Sequence, residues 1–117
     1  MKTLIILNDP PYGTERVYNG LRLAMQLQKK DEDLELTVFL MGDAASSAHA
    51  GQQTPNGYYN VERMLASVSR KGGRVLVCGT CMDARGLSQE ALLDGATRST
   101  MDELTEATLA ADMVLVF

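Results

Sequence analysis

Short apolar runs alternate along this chain with segments of helical period, and that alternation narrows the available folds more than any other feature. Residues 3–7 (Thr-Leu-Ile-Ile-Leu), 34–41 (Leu-Glu-Leu-Thr-Val-Phe-Leu-Met), 74–78 (Arg-Val-Leu-Val-Cys) and 113–117 (Met-Val-Leu-Val-Phe) read as strands. Residues 94–97 make a brief fourth strand before the last. Between them, residues 15–30 set Val17, Leu21, Ala24 and Met25 at helical spacing behind Thr14, which stands where an N-cap belongs. Asn60 holds the same position ahead of a helix that runs to about Arg70, with Val61, Met64, Leu65 and Val68 on one face. Residues 82–93 hold a short helical piece, and Thr100 with Glu103 fits a capping box that opens a helix through Ala111. Strand, helix, strand units call for right-handed parallel crossovers. The expected architecture is therefore a single α/β domain over residues 1–117, three-layer α/β/α, with a mostly parallel five-stranded sheet.

Residues 42–57 show no clear period and are rich in Ala, Ser, Gly and Gln, with residues 44–50 able to form a short helix. The single histidine, His49, lies here and is read as a surface loop residue. Long irregular segments in compact domains tend to be functional loops or oligomer contacts.

Both cysteines sit at one strand exit, in Cys78-Gly79-Thr80-Cys81-Met82-Asp83-Ala84-Arg85-Gly86. In a parallel sheet that exit lies at the C-terminal edge, where open α/β folds carry their reactive groups. Cys78 ends a run of valines and is equally readable as a small buried hydrophobe, whereas Cys81 is set in a polar turn. A thiol becomes nucleophilic on deprotonation, which helix starts, nearby cations and Cys-x-x-Cys spacing all favour. Gly79 and Thr80 can aim N–H groups at the sulfur, and Arg85 falls over Cys81 if the segment is one helical turn; alternatively Arg85 is a solvated charge or a partner of Asp83.

The net charge of −4, with 45% apolar and 22% charged residues, is that of an ordinary globular protein and argues against nucleic acid as a partner. The apolar run behind Met1-Lys2 is too brief for a signal-peptide core, and no run approaches membrane-spanning length, so no membrane partner and a cytoplasmic location are expected. In that reducing compartment two cysteines three apart favour redox, sulfur-carrying or metal chemistry over a structural disulfide.

The runs Asn8…Pro11-Tyr12-Gly13-Thr14-Glu15, Leu21-Arg22-Leu23-Ala24, Phe39-Leu40-Met41-Gly42-Asp43-Ala44, Gly51-Gln52, Gly57-Tyr58-Tyr59-Asn60, the cysteine segment and Asp94-Gly95 together resemble the DsrE/DsrF-like family, in its small YchN-type branch. The resemblance covers essentially the whole chain. It implies a parallel-sheet α/β domain, assembly as a homo-oligomer (hexamer or trimer), and a persulfide carried on the cysteine that ends the third strand, ahead of a loop finishing in Arg-Gly. That position is Cys78. Cys81 matches the additional cysteine of the YchN-type branch and is a candidate resolving thiol. The resemblance thus implies Cys78, Cys81 and Arg85 as the catalytic set, sulfur-donor and sulfur-acceptor proteins as partners, and no tightly bound cofactor or metal. Asn8, Tyr12, Gly13, Asp43, Gly79, Thr80 and Asp83 are the expected substrate-binding residues.

Two other readings are open at this level. Cys78 and Cys81 with His49 and Asp43 or Asp83 carry zinc-type ligand atoms, though one Cys-x-x-Cys with a distant histidine is a weak signal. A non-catalytic binding module would use a cleft lined by Asn8, Tyr12, Asp43 and Tyr58 or Tyr59, without the glycine-rich phosphate signature after the first strand.

Overall fold

A computed structural model describes residues 1–57 and 59–117; Tyr58, one of the residues expected at a cleft, lies outside them. The elements are β1 (Lys2–Leu7), α1 (Arg16–Lys30), β2 (Glu35–Leu40), α2 (Val61–Arg70), β3 (Arg74–Cys78), α3 (Gly79–Ala84), β4 (Ala96–Ser99), α4 (Met101–Ala110) and β5 (Met113–Val116). The sheet has five strands in the order β4-β3-β2-β1-β5, and every pairing in it is parallel.

This order explains how the helices are distributed. From β1 to β4 the chain steps along the sheet in one direction, so right-handed crossovers leave α1 and α2 on one face. The return from β4 to β5 crosses the whole sheet in the opposite sense and leaves α4 on the other. Two cores result. On the first face Ile5, Leu7, Val38, Leu40, Val75 and Val77 pack against Val17, Leu21 and Ala24 of α1 and Val61, Leu65 and Val68 of α2. On the second, Leu4, Phe39, Leu76 and Cys78 meet Leu104 of α4. Strand residues alternate between these faces, as the pleat requires. Among the described residues no helix is long and apolar enough to cross a membrane.

Several boundaries differ from expectation. Thr14 does not cap α1; the cap position is Glu15, without a side-chain bond, and the Thr14 hydroxyl donates instead to the Asp9 carboxylate at 3.2 Å. A charged acceptor competes well for a short hydroxyl. Residues 42–57 contain a 3₁₀ helix over Gly42–Ala48, starting two residues before the Ala-rich piece, because Gly42 at φ +57 turns the chain directly out of β2. The helical piece placed at residues 82–93 instead begins at Gly79 and stops at Ala84, followed by one 3₁₀ turn at Gln89–Ala91. The fourth strand starts after Gly95, whose φ of +95 is incompatible with strand geometry, and so reaches Ser99. The caps at Asn60 and Thr100 are as expected: their side chains accept from the N–H groups of Arg63 at 3.1 Å and Glu103 at 3.2 Å.

Candidate functional site

Cys78 is the last residue of β3 and pairs in register with Ser99 of β4. Its side chain points to the face covered by α4, and the residue exposes only 6% of its surface. Burial alone would push its thiol above the ordinary value. Four donors outweigh it: the Cys81 thiol, the Thr80 hydroxyl at 3.3 Å, and the N–H groups of Cys81 and Thr80, which face the sulfur without closing a tight cap bond. The net effect is a Cys78 thiol drawn below its usual range.

Cys81 has the opposite environment. Burial and the hydrogen bond it gives to Cys78 hold its proton, so its thiol is raised, against the opposing pull of the Gly42 N–H, which donates to Cys81 Sγ at 3.1 Å, and of Arg85. The pair thus divides into a favoured Cys78 thiolate and a Cys81 thiol that keeps its proton to higher pH. Both are free thiols.

The turn that places them has a sequence logic. Gly79 starts α3 with the Arg98 guanidinium lying over it: a Cβ there would meet Arg98 Nε at 2.8 Å and push the guanidinium aside. The helix ends in a Schellman motif, with Leu87 N–H donating to the Met82 carbonyl at 2.9 Å, Gly86 N–H to that of Asp83 at 3.2 Å, and Gly86 at φ +66. Arg85 therefore stands at the C-cap and is held there, its Nη1 donating to the Cys81 carbonyl at 3.1 Å and its Nη2 to Asp43 Oδ1 at 2.7 Å.

Asp83 pairs with Arg98 rather than with Arg85. Arg98 Nη1 and Nη2 donate to its two carboxylate oxygens at 2.8 and 2.9 Å, lowering the carboxyl of Asp83 and raising the guanidinium of Arg98. The Cys78 thiolate adds to the pull on Arg98. Arg98 was not among the residues expected at the site. The signal that would find it is the parallel register of β3 and β4, which sets Val77 beside Arg98.

The structure thus gathers Cys78, Gly79, Thr80, Cys81, Asp83, Arg85 and Asp43 at the end of β3. Asn8, Tyr12 and Gly13 stand apart on the loop after β1. The Asn8 side chain donates to the Phe117 carbonyl at 3.3 Å, while the Asn8 backbone carbonyl oxygen would lie 3.3 Å from a Cβ on Gly42. The Tyr12 hydroxyl bonds the Gln52 side chain and accepts from Val61 N–H at 3.4 Å, and Gly13 takes φ +98 in the open. His49 bonds the neighbouring Ala50 carbonyl at 2.7 Å and forms an isolated bridge with Leu92. Among the described residues no three His, Cys, Asp or Glu side chains converge as metal ligands. Asp43 and Asp83, the carboxylates of the zinc reading, are both held by arginines.

The fold is an all-parallel α/β sheet with both thiols at one strand exit; the DsrE/DsrF-like family model matches residues 1–117, and the chain belongs to that family. Among its relatives, protein YchN of Escherichia coli K12 is 41% identical over 116 residues, spanning 99% of this chain and 98% of YchN. Protein MJ0989 of Methanocaldococcus jannaschii is 35% identical over 117 residues, covering 100% of both chains. The crystal structure of the E. coli YchN protein superposes with a TM-score of 0.95 at 41% identity, covering 100% of this chain and 99% of that one. MTH1491 of Methanobacterium thermoautotrophicum, at 14% identity and a TM-score of 0.78 over 99% of this chain and 97% of its own, shares the fold.

Proposed function

We propose that this protein carries sulfane sulfur as a persulfide on Cys78, with Cys81 as the resolving thiol, in a reducing cytoplasm. The observation that carries the reading is the placement of both thiols at the exit of β3 in unequal settings: Cys78 Sγ lies 3.3 Å from the Thr80 hydroxyl at the start of α3 and is drawn below its usual range, while burial raises Cys81. Membership of a family associated with sulfur relay agrees with it.

In the loading step the Cys78 thiolate attacks the outer sulfur of a donor protein's persulfide. A Cys78–S bond forms, the donor's S–S bond breaks, and the donor leaves as a thiolate, with no net oxidation. Delivery repeats the exchange: an acceptor protein's thiolate attacks the outer sulfur and Cys78 leaves, stabilised by the same donors. If no acceptor arrives, Cys81 loses its proton and attacks Cys78 Sγ, releasing hydrosulfide and leaving a Cys78–Cys81 disulfide that an external dithiol must reduce. Arg85 and Asp43 would hold the turn that carries Cys81, and Arg98 would add positive charge beside the Cys78 thiolate.

The test is intact-mass analysis after incubation with inorganic polysulfide. Wild-type protein is expected to gain one sulfur on Cys78, Cys78→Ser none, and Cys81→Ser a longer-lived adduct because the resolving step is gone. Sulfur found on Cys81 alone, or on neither thiol, would defeat the reading.

The carrier is further proposed to assemble as a homo-oligomer, a hexamer or trimer. Supporting this, the outer edge of β5 is unpaired, Val114 and Val116 (65% exposed) project from that strand, and Leu109 (83% exposed) lies at the end of α4 that leads into it.

A further inference from the structure

Away from the thiols, the outer surface between α1 and α2 forms an open groove of about 510 Å³. Its floor is apolar and half-buried, made by Tyr18, Met25 and Met64. Its rims are cationic and exposed: Arg22 and Lys29 on one side, Arg63 and Lys71 on the other. These are four of the 11 Lys and Arg residues in a chain of net charge −4, so basic charge is concentrated here against the overall balance. Among the described residues none of the four forms an ion pair, whereas Arg16, Arg74, Arg85 and Arg98 each have a carboxylate partner. Among the described residues no Asp or Glu lines the groove.

From Tyr18 to Lys29 the α1 rim is roughly 16 Å long, at about 1.5 Å per residue. One phosphate would engage one end of such a groove and leave the other cations unanswered. At the aromatic end, Tyr18 is already engaged by the Tyr59 ring, centroids 4.3 Å apart, and by the Arg22 guanidinium 5.7 Å from its own centroid, which makes a poor stacking platform for a planar base. An apolar floor between two charged rims matches a helix that carries an apolar stripe flanked by carboxylates. Methionines suit such a floor, since their flexible thioethers adapt to the ridge laid on them.

We propose that the α1/α2 groove docks an acidic amphipathic helix, about three turns long, of a partner protein. This goes beyond the sulfur chemistry: the helix binds through charge and apolar area, and its site contains neither thiol.

The chain has no tryptophan, so a tryptophan-bearing peptide reports binding against a dark background. The probe is a synthetic helix of about 14 residues with a Leu/Trp stripe flanked by Glu, and the control is the same peptide with Lys for each Glu. The Glu peptide is expected to bind saturably and more weakly as salt rises, and equally to Cys78→Ser. Arg63→Glu/Lys71→Glu is expected to weaken it by about tenfold or more, whereas Lys30→Glu/Arg70→Glu, with the same change in net charge outside the groove, leaves it unchanged. Any of four results would overturn the proposal: no saturable binding up to about 1 mM peptide; equal binding of the Lys peptide; saturable binding of ADP, used as a phosphate probe, in place of the peptide; or loss of the oligomer in Arg63→Glu/Lys71→Glu by light scattering, which would mean that a second copy fills the groove.

Discussion

With Cys78 drawn below the ordinary thiol range and Cys81 raised above it, the pair gives up its first proton from Cys78. Alkylation follows the thiolate. The rate at Cys78 should therefore reach its plateau at lower pH than for a free thiol, and the rate at Cys81 at higher pH, when each site is mapped by peptide mass spectrometry. Cys81→Ala removes a donor that stabilises the thiolate, so the Cys78 inflection should move up in pH. Arg98→Gln removes a nearby cation and acts in the same direction. Arg98 and Asp83 are both exposed, so Arg98→Gln should shift the profile with little change in thermal stability. A merely structural Arg98 would leave the inflection where it was. Because Cys78 exposes so little of itself, the ratio of its rate with a bulky maleimide to its rate with iodoacetamide should fall well below that of a free thiol.

At the level of elements, what the sequence made visible was what local pattern determines. β3 was located to the residue because a β-branched run between Gly72-Gly73 and the cysteines has only one buried reading. The Arg85-Gly86 dipeptide is a helix stop and could have placed α3 over residues 79–84, but the helix begins on a glycine, contrary to propensity, and this hid it. What lay beyond reach was non-local: that Arg98 stands over Gly79, and that Asp83 prefers Arg98 to Arg85, depend on how two strands align. The same glycines make a sharp test. Gly86→Ala forces a side chain into φ +66 with open space around it, so its cost is backbone strain of about 1 kcal/mol by chemical denaturation. Gly79→Ala has no positive φ but drives a Cβ into the Arg98 guanidinium, a flexible group. It should leave stability nearly intact while moving the Cys78 pH profile as Arg98→Gln does.

For the molecule as a whole, the unequal covering of the sheet is the property with the widest consequence. A right-handed return from β4 to β5 places α4 on the second face, over Leu4, Phe39 and Leu76, and leaves Val114 and Val116 of β5 on that face uncovered. β5 is paired on one edge only, and Val114 and Val116 project from it into solvent. Lone exposed apolar residues need no explanation, but Val114 and Val116 stand together on β5 and Leu109 lies at the end of α4 that leads into it, and a patch of that kind marks an interaction surface. Covering it with another copy of the chain removes apolar area and shields an open strand edge at the same time. Leu109→Asp/Val116→Asp places two carboxylates on this strip without disturbing either core, since both side chains point outward. The variant should keep its circular dichroism spectrum and fall to monomer mass by light scattering, while wild type stays assembled. If wild type is itself monomeric, or the variant keeps wild-type mass, the strip is not what joins the subunits.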